Sequence, residues 1–149
     1  MKQKAHIGKV TAEKAITIEE SMIQRYVDAL GIEDALSIDH DAAKASNLSG
    51  LLLPHAATSH LGDYDSVISL LELKPKQVLH SKQQISVYRP ICAGETLRVT
   101  TVLGDLYEQQ VSGNPMGFAI INVIGMTQKG AVAFESQRVL AVRGGFPRR

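Results

Sequence analysis

At 149 residues, with 16 basic and 15 acidic side chains for a net charge of +1, the chain is the size of one domain. That near-neutral balance gives it no charge excess to draw it to nucleic acid or a membrane surface, so neither is expected as a partner. Apolar residues make up 44% and charged residues 21%, the composition of a chain that buries a core, and the single cysteine, Cys92, rules out an internal disulfide or a cysteine-rich zinc site and fits a reducing, cytoplasmic setting.

Met1 to Val10 carries lysines with no apolar stretch behind them, so it does not read as a secretory signal, and no apolar run approaches the roughly 18 residues that would span a bilayer. After an extended piece at Ala15 to Ile18, Met22, Ile23, Tyr26, Val27 and Leu30 fall at helical spacing. Glu19 and Glu20 sit where negative charge suits the first turn, and Gly31 ends the helix. Asp39 to Ser46 is predicted as a second short helix, capped by Ser37 or Asp39. Next comes the run Gly50 to Gly62. Pro54 suits a first helical position and Gly62 the position past a helix end, which predicts a central helix of about two turns.

From Lys76 the period changes from helical to alternating. Gln77 to Arg89 is a long β-rich stretch, and Pro90 to Glu95 makes a turn. Leu97, Val99 and Leu103 alternate with polar residues, Phe118 to Met126 is apolar on both faces, and Val132, Phe134, Leu140 and Val142 share one face of a last strand. Ser112 to Pro115 is a loop by composition, and 144–149 reads as a loose tail. The fold class is α+β: a single domain over 1–149, core about 7–143, in which an antiparallel meander from 76 to 143 meets the central helix. A sheet wrapped around that helix and a plain open sandwich satisfy the same periodicity.

An ordered set of motifs also runs along the chain. Ile7-Gly8-Lys9 opens the chain, and Ala29-Leu30-Gly31 closes the first helix. Asp39-His40-Asp41-Ala42-Ala43-Lys44 and Gly50-Leu51-Leu52-Leu53-Pro54 follow. Then come His80-Ser81-Lys82-Gln83, Tyr88-Arg89-Pro90-Ile91 and Ala93-Gly94-Glu95-Thr96-Leu97. In this order and spacing, from Ile7 to Val142, the chain resembles the N-terminal, fatty-acid-synthase-type branch of the MaoC-like dehydratases. The resemblance implies a hot-dog domain, an antiparallel sheet wrapped around a central helix. It also implies a homodimer, or a heterodimer with a second hot-dog subunit. Active members interconvert trans-2-enoyl and (R)-3-hydroxyacyl thioesters of coenzyme A or acyl carrier protein. In them an Asp and a His share a water as general acid and base, in a signature of the form Gly-Asp-x-Asn-Pro-x-His.

This chain departs from that signature at both decisive positions. Aligned on Gly31 it reads Gly31-Ile32-Glu33-Asp34-Ala35-Leu36-Ser37, with Ile32 in place of the Asp and Ser37 in place of the His. A slip of one residue brings Glu33 or Asp34 nearer, and the His is still missing. The central-helix motif aligns Leu53-Pro54-His55 with an Ala-His-Gly of the active members, so the helix start survives as a place for a thioester carbonyl.

His55 is therefore the candidate catalytic base within the chain, at a helix start that favours the neutral imidazole. Its competing reading is a histidine packed at a subunit seam. Leu53, Pro54, Ala56 and Arg89 are the candidate substrate-binding residues. The apolar acyl chain is expected under the central helix, and Arg89, Lys74, Lys76 and Arg143 are the basic residues that could meet phosphates. His40, His60 and His80 read as surface or structural groups, Cys92 as non-catalytic, and no metal or other cofactor is expected. The function this implies is an acyl-thioester hydratase or dehydratase, or its acyl-binding subunit. The alternatives are a non-catalytic acyl-CoA-binding or structural hot-dog subunit and, behind it, a hot-dog thioesterase, which lacks its carboxylate between Pro54 and Leu61.

Overall fold

In a computed structural model that describes residues 2–148, the sheet is wider than the periodicity implies. Five strands, β1 (Val10–Thr17), β2 (Val78–Val87), β3 (Thr96–Val111), β4 (Asn114–Met126) and β5 (Val132–Arg143), pair antiparallel in the order β1-β3-β4-β5-β2. Two expectations change. The extended piece at Ala15 is the end of an eight-residue strand that pairs with β3, Ile16 opposite Leu97, so the sheet does not begin at 76. Nor do the four later strands form one meander: β3, β4 and β5 do, but β2 lies at the far edge against β5. The Pro90–Glu95 segment explains this. Leu53 N–H donates to the Ile91 carbonyl and Ala93 N–H to that of Leu51. The segment is thereby pinned to Leu51–Leu53 and leads the chain across the fold instead of reversing it. Between β3 and β4 the reversal is tighter than the loop expected: Ser112 and Gly113 both take positive φ (51° and 79°), and Asn114 already belongs to β4.

One face of the sheet carries the core. Leu97, Val99 and Leu103 of β3, Ala119, Ile121 and Val123 of β4, and Phe134, Leu140 and Val142 of β5 are all buried. Gly125 stands opposite Phe134, and a Cβ there would fall 2.1 Å from the phenyl ring, so the ring packs flat on bare backbone. Helix α1 (Glu20–Leu30) buries Ile23 and Val27 and ends, as its sequence requires, on Gly31 in the left-handed region at φ 63°. A short helix outside the expected ones, α2 (Ala35–Ile38), capped by Asp34, precedes the helix expected over 39–46, which is α3 (His40–Ala45), capped by Asp39.

The central segment differs most from its prediction. It is a 3₁₀ helix over His55–His60 with Pro54 just outside as the cap, followed by α4 (Tyr64–Leu70). The hydroxyls of Thr58 and Ser59 donate to the carbonyls of His55 and Ala56, three residues back, which tightens this turn. Gly62 is a joint and not an end, because the Asp63 carboxylate accepts from Ser66 N–H and starts α4. The 3₁₀ turn packs against β2 and β5, and α4 against β1, so together they cross the inner face of the sheet.

The tail is also ordered through residue 148. Phe146 is buried in the core, its N–H donates to Glu108 Oε2 at 3.0 Å, and Arg148 pairs with the same carboxylate. From the other end, Gln3 Nε2 donates to the Pro147 carbonyl at 2.8 Å. A single aromatic residue and one strand glutamate replace the expected loose end.

Candidate functional site

The Gly31–Ser37 segment has become packing. Ile32 is half-buried against the core cluster, and its N–H donates to the Val27 carbonyl at 3.1 Å. Ser37 is 2% exposed, and its hydroxyl donates to the Leu52 carbonyl at 2.8 Å. Of the two carboxylates that a slipped alignment brings nearer, Glu33 is exposed, and Asp34 accepts from Leu36 N–H as the cap of α2. Every polar atom named here has a local structural partner.

What Ser37 holds is the run Leu51–Pro54. Leu52 also donates its N–H to Leu36, and Leu53 and Leu51 bond to the 91–93 segment. Leu53 and Pro54 are buried, and they set the start of the 3₁₀ turn. His55 and Ala56 follow, both exposed, at the turn's first two positions, where backbone N–H groups precede the turn's own hydrogen bonds. Leu53, Pro54, His55 and Ala56 thus form one short ledge. Arg89 lies apart from it, exposed just beyond β2, on a cleft of about 330 Å³ that Glu95, Thr96 and Lys129 also line.

The other end of the turn holds a group that the motif reading did not single out. Arg138 lies on the inner face of β5, between Ser136 and Leu140 in the row that also carries Phe134 and Val142. Its Nε donates to Gln83 Oε1 of β2 at 2.8 Å and its Nη2 to the Ser59 carbonyl at 2.9 Å. The guanidinium carbon sits 3.7 Å over the Tyr64 ring, whose hydroxyl also donates to the Ser59 carbonyl. Burial pushes the Tyr64 phenol above its ordinary value, although Arg138 pulls it down. Burial, and after it Arg138 and then His80, hold the His60 imidazole below its usual range. His60 faces the Tyr26 ring at 5.5 Å between centroids. The signal for this cluster was in the sequence: Ser136 and Arg138 fall in phase with Phe134, Leu140 and Val142, so period two turns them inward.

Elsewhere the site candidates separate. His40 is exposed and pairs with Glu20, Cys92 is buried, and among the described residues no three His, Cys, Asp or Glu side chains gather where they could hold a metal. No helix among them is long and apolar enough to cross a membrane.

Compared with known families, residues 5–136 match the FAS1-like dehydratase domain region. The chain belongs to that family. Among solved structures this FAS1-like dehydratase-region chain is similar to one from the ChsH1-ChsH2 complex of Mycobacterium tuberculosis. The TM-score there is 0.73 at 17% identity, over 99% of this chain and 90% of that one. It is similar also to a chain of the HadBC (3R-hydroxyacyl-ACP dehydratase) complex of the same organism, with TM-score 0.76 and 12% identity, over 91% and 96%. An (R)-hydratase of A. caviae involved in PHA biosynthesis gives 0.68 at 15% identity, over 95% and 96%. At these identities the likeness is one of fold, and the fold is the hot-dog, α+β arrangement. No curated protein sequence matches the chain.

Proposed function

We propose that this chain is the acyl-thioester-binding subunit of a hydratase or dehydratase that interconverts trans-2-enoyl and (R)-3-hydroxyacyl thioesters, with a second hot-dog subunit supplying the proton-transfer pair. The observation that carries the reading is the fate of Ile32 and Ser37. One is packed on the core and the other is bonded to Leu52, so neither has a proton to exchange with a substrate. The two-component ChsH1-ChsH2 and HadBC complexes among the similar structures support a partnership between chains of this fold.

In this reading the thioester carbonyl accepts from the backbone N–H groups of His55 and Ala56. That polarises it for addition of water across the conjugated double bond. Buried Leu53 and Pro54 fix the ledge, and Arg89 with Lys129 flanks the cleft where carrier phosphates would sit. If the chain turns over alone, His55 is the base, since it is exposed on the same ledge.

The test follows crotonyl-CoA hydration by loss of the conjugated-enoyl absorbance. The chain alone is expected to give none, and adding a hot-dog subunit that carries the Asp/His pair is expected to restore turnover. Turnover by the chain alone that disappears in His55→Ala would overturn the two-subunit reading. Binding without turnover in either case would leave a non-catalytic acyl-CoA-binding subunit.

A further inference from the structure

We propose that the inner face of β5 and β2, below the His60 end of the 3₁₀ turn, is a binding site for an anionic oxygen group, a carboxylate or a phosphate, with the Arg138 guanidinium as its anchor. Three observations meet there. First, Arg138 is half-buried, and among the described residues no carboxylate lies within ion-pair distance of it. The nearest acid on its own strand, Glu135, has opposite phase and accepts from the Tyr88 hydroxyl. A desolvated cation without a counter-charge costs stability, and its bonds to neutral groups leave that charge uncompensated.

Second, its orientation is fixed by neutral groups. Gln83 Oε1, the Ser59 carbonyl and the Tyr64 ring hold the fork by Nε, one Nη2 hydrogen and its face. That leaves Nη1 as the nitrogen without an acceptor among the described residues, a charged donor for an oxygen of a carboxylate or phosphate. Third, the neighbours carry the same bias. Gln83 Nε2 is a buried donor without a partner, and His80, in register with Leu140, stands close enough to act on the charge of His60 at the end of the turn. His60 and His80 are exposed, beside the half-buried Arg138 and Gln83.

The site refines the expected path of the substrate. The acyl chain was to run over apolar surface beneath the turn, yet on the β2 side that surface carries Gln83, Ser136 and Arg138 beside Ile85. The turn rises about 2 Å per residue, so its two ends lie on the order of 10 Å apart. A thioester carbonyl at His55 and an anion at Arg138 could then belong to one ligand. The anion would be either a carboxylate at the far end of the acyl chain or a phosphate of the carrier. That assignment rests on the thioester reading, whereas the anion site does not.

The experiment separates the two. Glutarate and inorganic phosphate are titrated into the intact protein while the imidazole resonances of His60 and His80 are followed. Saturable shifts are expected, with an affinity tenfold or more lower in Arg138→Gln. Silence from both probes, as when a carboxylate of a second subunit already occupies Arg138, overturns the proposal. So does an affinity unchanged by the substitution. Glutaryl and butyryl thioesters are then compared as coenzyme A and as N-acetylcysteamine derivatives. A glutaryl preference on both carriers that Arg138→Gln abolishes identifies an acyl carboxylate. A coenzyme A preference lost in that variant, whatever the acyl end, identifies a phosphate. If the free anions bind and no thioester does, the anion site stands and the thioester function fails.

Discussion

The inner face of the sheet has two halves built on opposite principles. On the β3–β4 side Leu97, Val99, Leu103, Ile121 and Val123 are buried together. The polar groups among them are paired: the Thr101 hydroxyl accepts from Asp63 N–H, and the Asp63 carboxylate meets Ser66 N–H and Lys14. On the β2 side Ser136, Arg138 and Gln83 occupy equivalent inward positions, with a cation that has no counter-ion and a buried amide donor that has no acceptor. Local pairing accounts for the polar groups of the first half. The second half holds a cation without a counter-charge, which under the anion-site proposal is kept for a ligand. The same contrast applies along the chain. Ser37, which aligns with the His of the resembled signature, is bonded to Leu52, while Arg138, which belongs to no motif, has no counter-ion among the described residues.

The largest effect expected from breaking this contrast lies in the apolar half. Phe134 is fully buried, and its ring rests on Gly125, where no side chain can collapse into the space it would vacate. Phe134→Ala should cost about 3–5 kcal/mol of unfolding free energy, read by chemical denaturation at fixed protein concentration. A loss below about 1 kcal/mol would mean that the β4–β5 seam is not the core that holds the fold.

How much of this was legible in the sequence follows from which forces act locally. α1 was readable with both ends, because Gly31 and the apolar spacing are local signals. β3, β4 and β5 were readable because one face of each is buried against the same core. The place of β2 was not, since its pairing with β5 depends on hydrogen bonds from residues 91–93 to 51–53 that no period reveals. The 3₁₀ character of His55–His60 was hidden for a related reason: it comes from Thr58 and Ser59 bonding back to carbonyls, whereas Pro54 and Gly62 alone suit an ordinary helix. Of the candidate site, the run Leu53–Ala56 and the departure from the Asp/His signature at Ile32 and Ser37 were legible from the motif alignment. Arg138 was not, because it belongs to no motif and was marked only by phase within β5.

A smaller effect should come from the paired polar groups of the apolar half. Asp63 caps α4, and its carboxyl is held below the usual carboxylate range first by the hydrogen bond from Lys14 and then by Ser66 N–H, against the opposing effect of burial. Asp63→Ala should cost about 1 kcal/mol near neutral pH, the usual worth of a lost cap. Because the folded value is depressed, that contribution is present above the unfolded value of about 3.9 and is lost as pH falls through the lower folded one. Denaturation curves of the two proteins should therefore converge in acid. A gap that persists unchanged at the acid end would show that the contribution does not depend on the ionised carboxylate.

The smallest effect is expected where the ligand reading places the most weight. In Arg138→Gln the shorter amide can still donate toward the Ser59 carbonyl, which also keeps its bond from the Tyr64 hydroxyl. What is lost is one charge-assisted hydrogen bond to Gln83, worth about 2 kcal/mol, and the cation over the ring, worth about 1 kcal/mol; what is removed is the cost of an uncompensated, half-buried charge, of the same order. The two nearly offset, so stability should change by less than about 1 kcal/mol in either direction while anion affinity falls tenfold or more. A destabilisation as large as that of Phe134→Ala would make Arg138 a brace between β2, β5 and the turn, and would remove the difference between the two halves of the sheet.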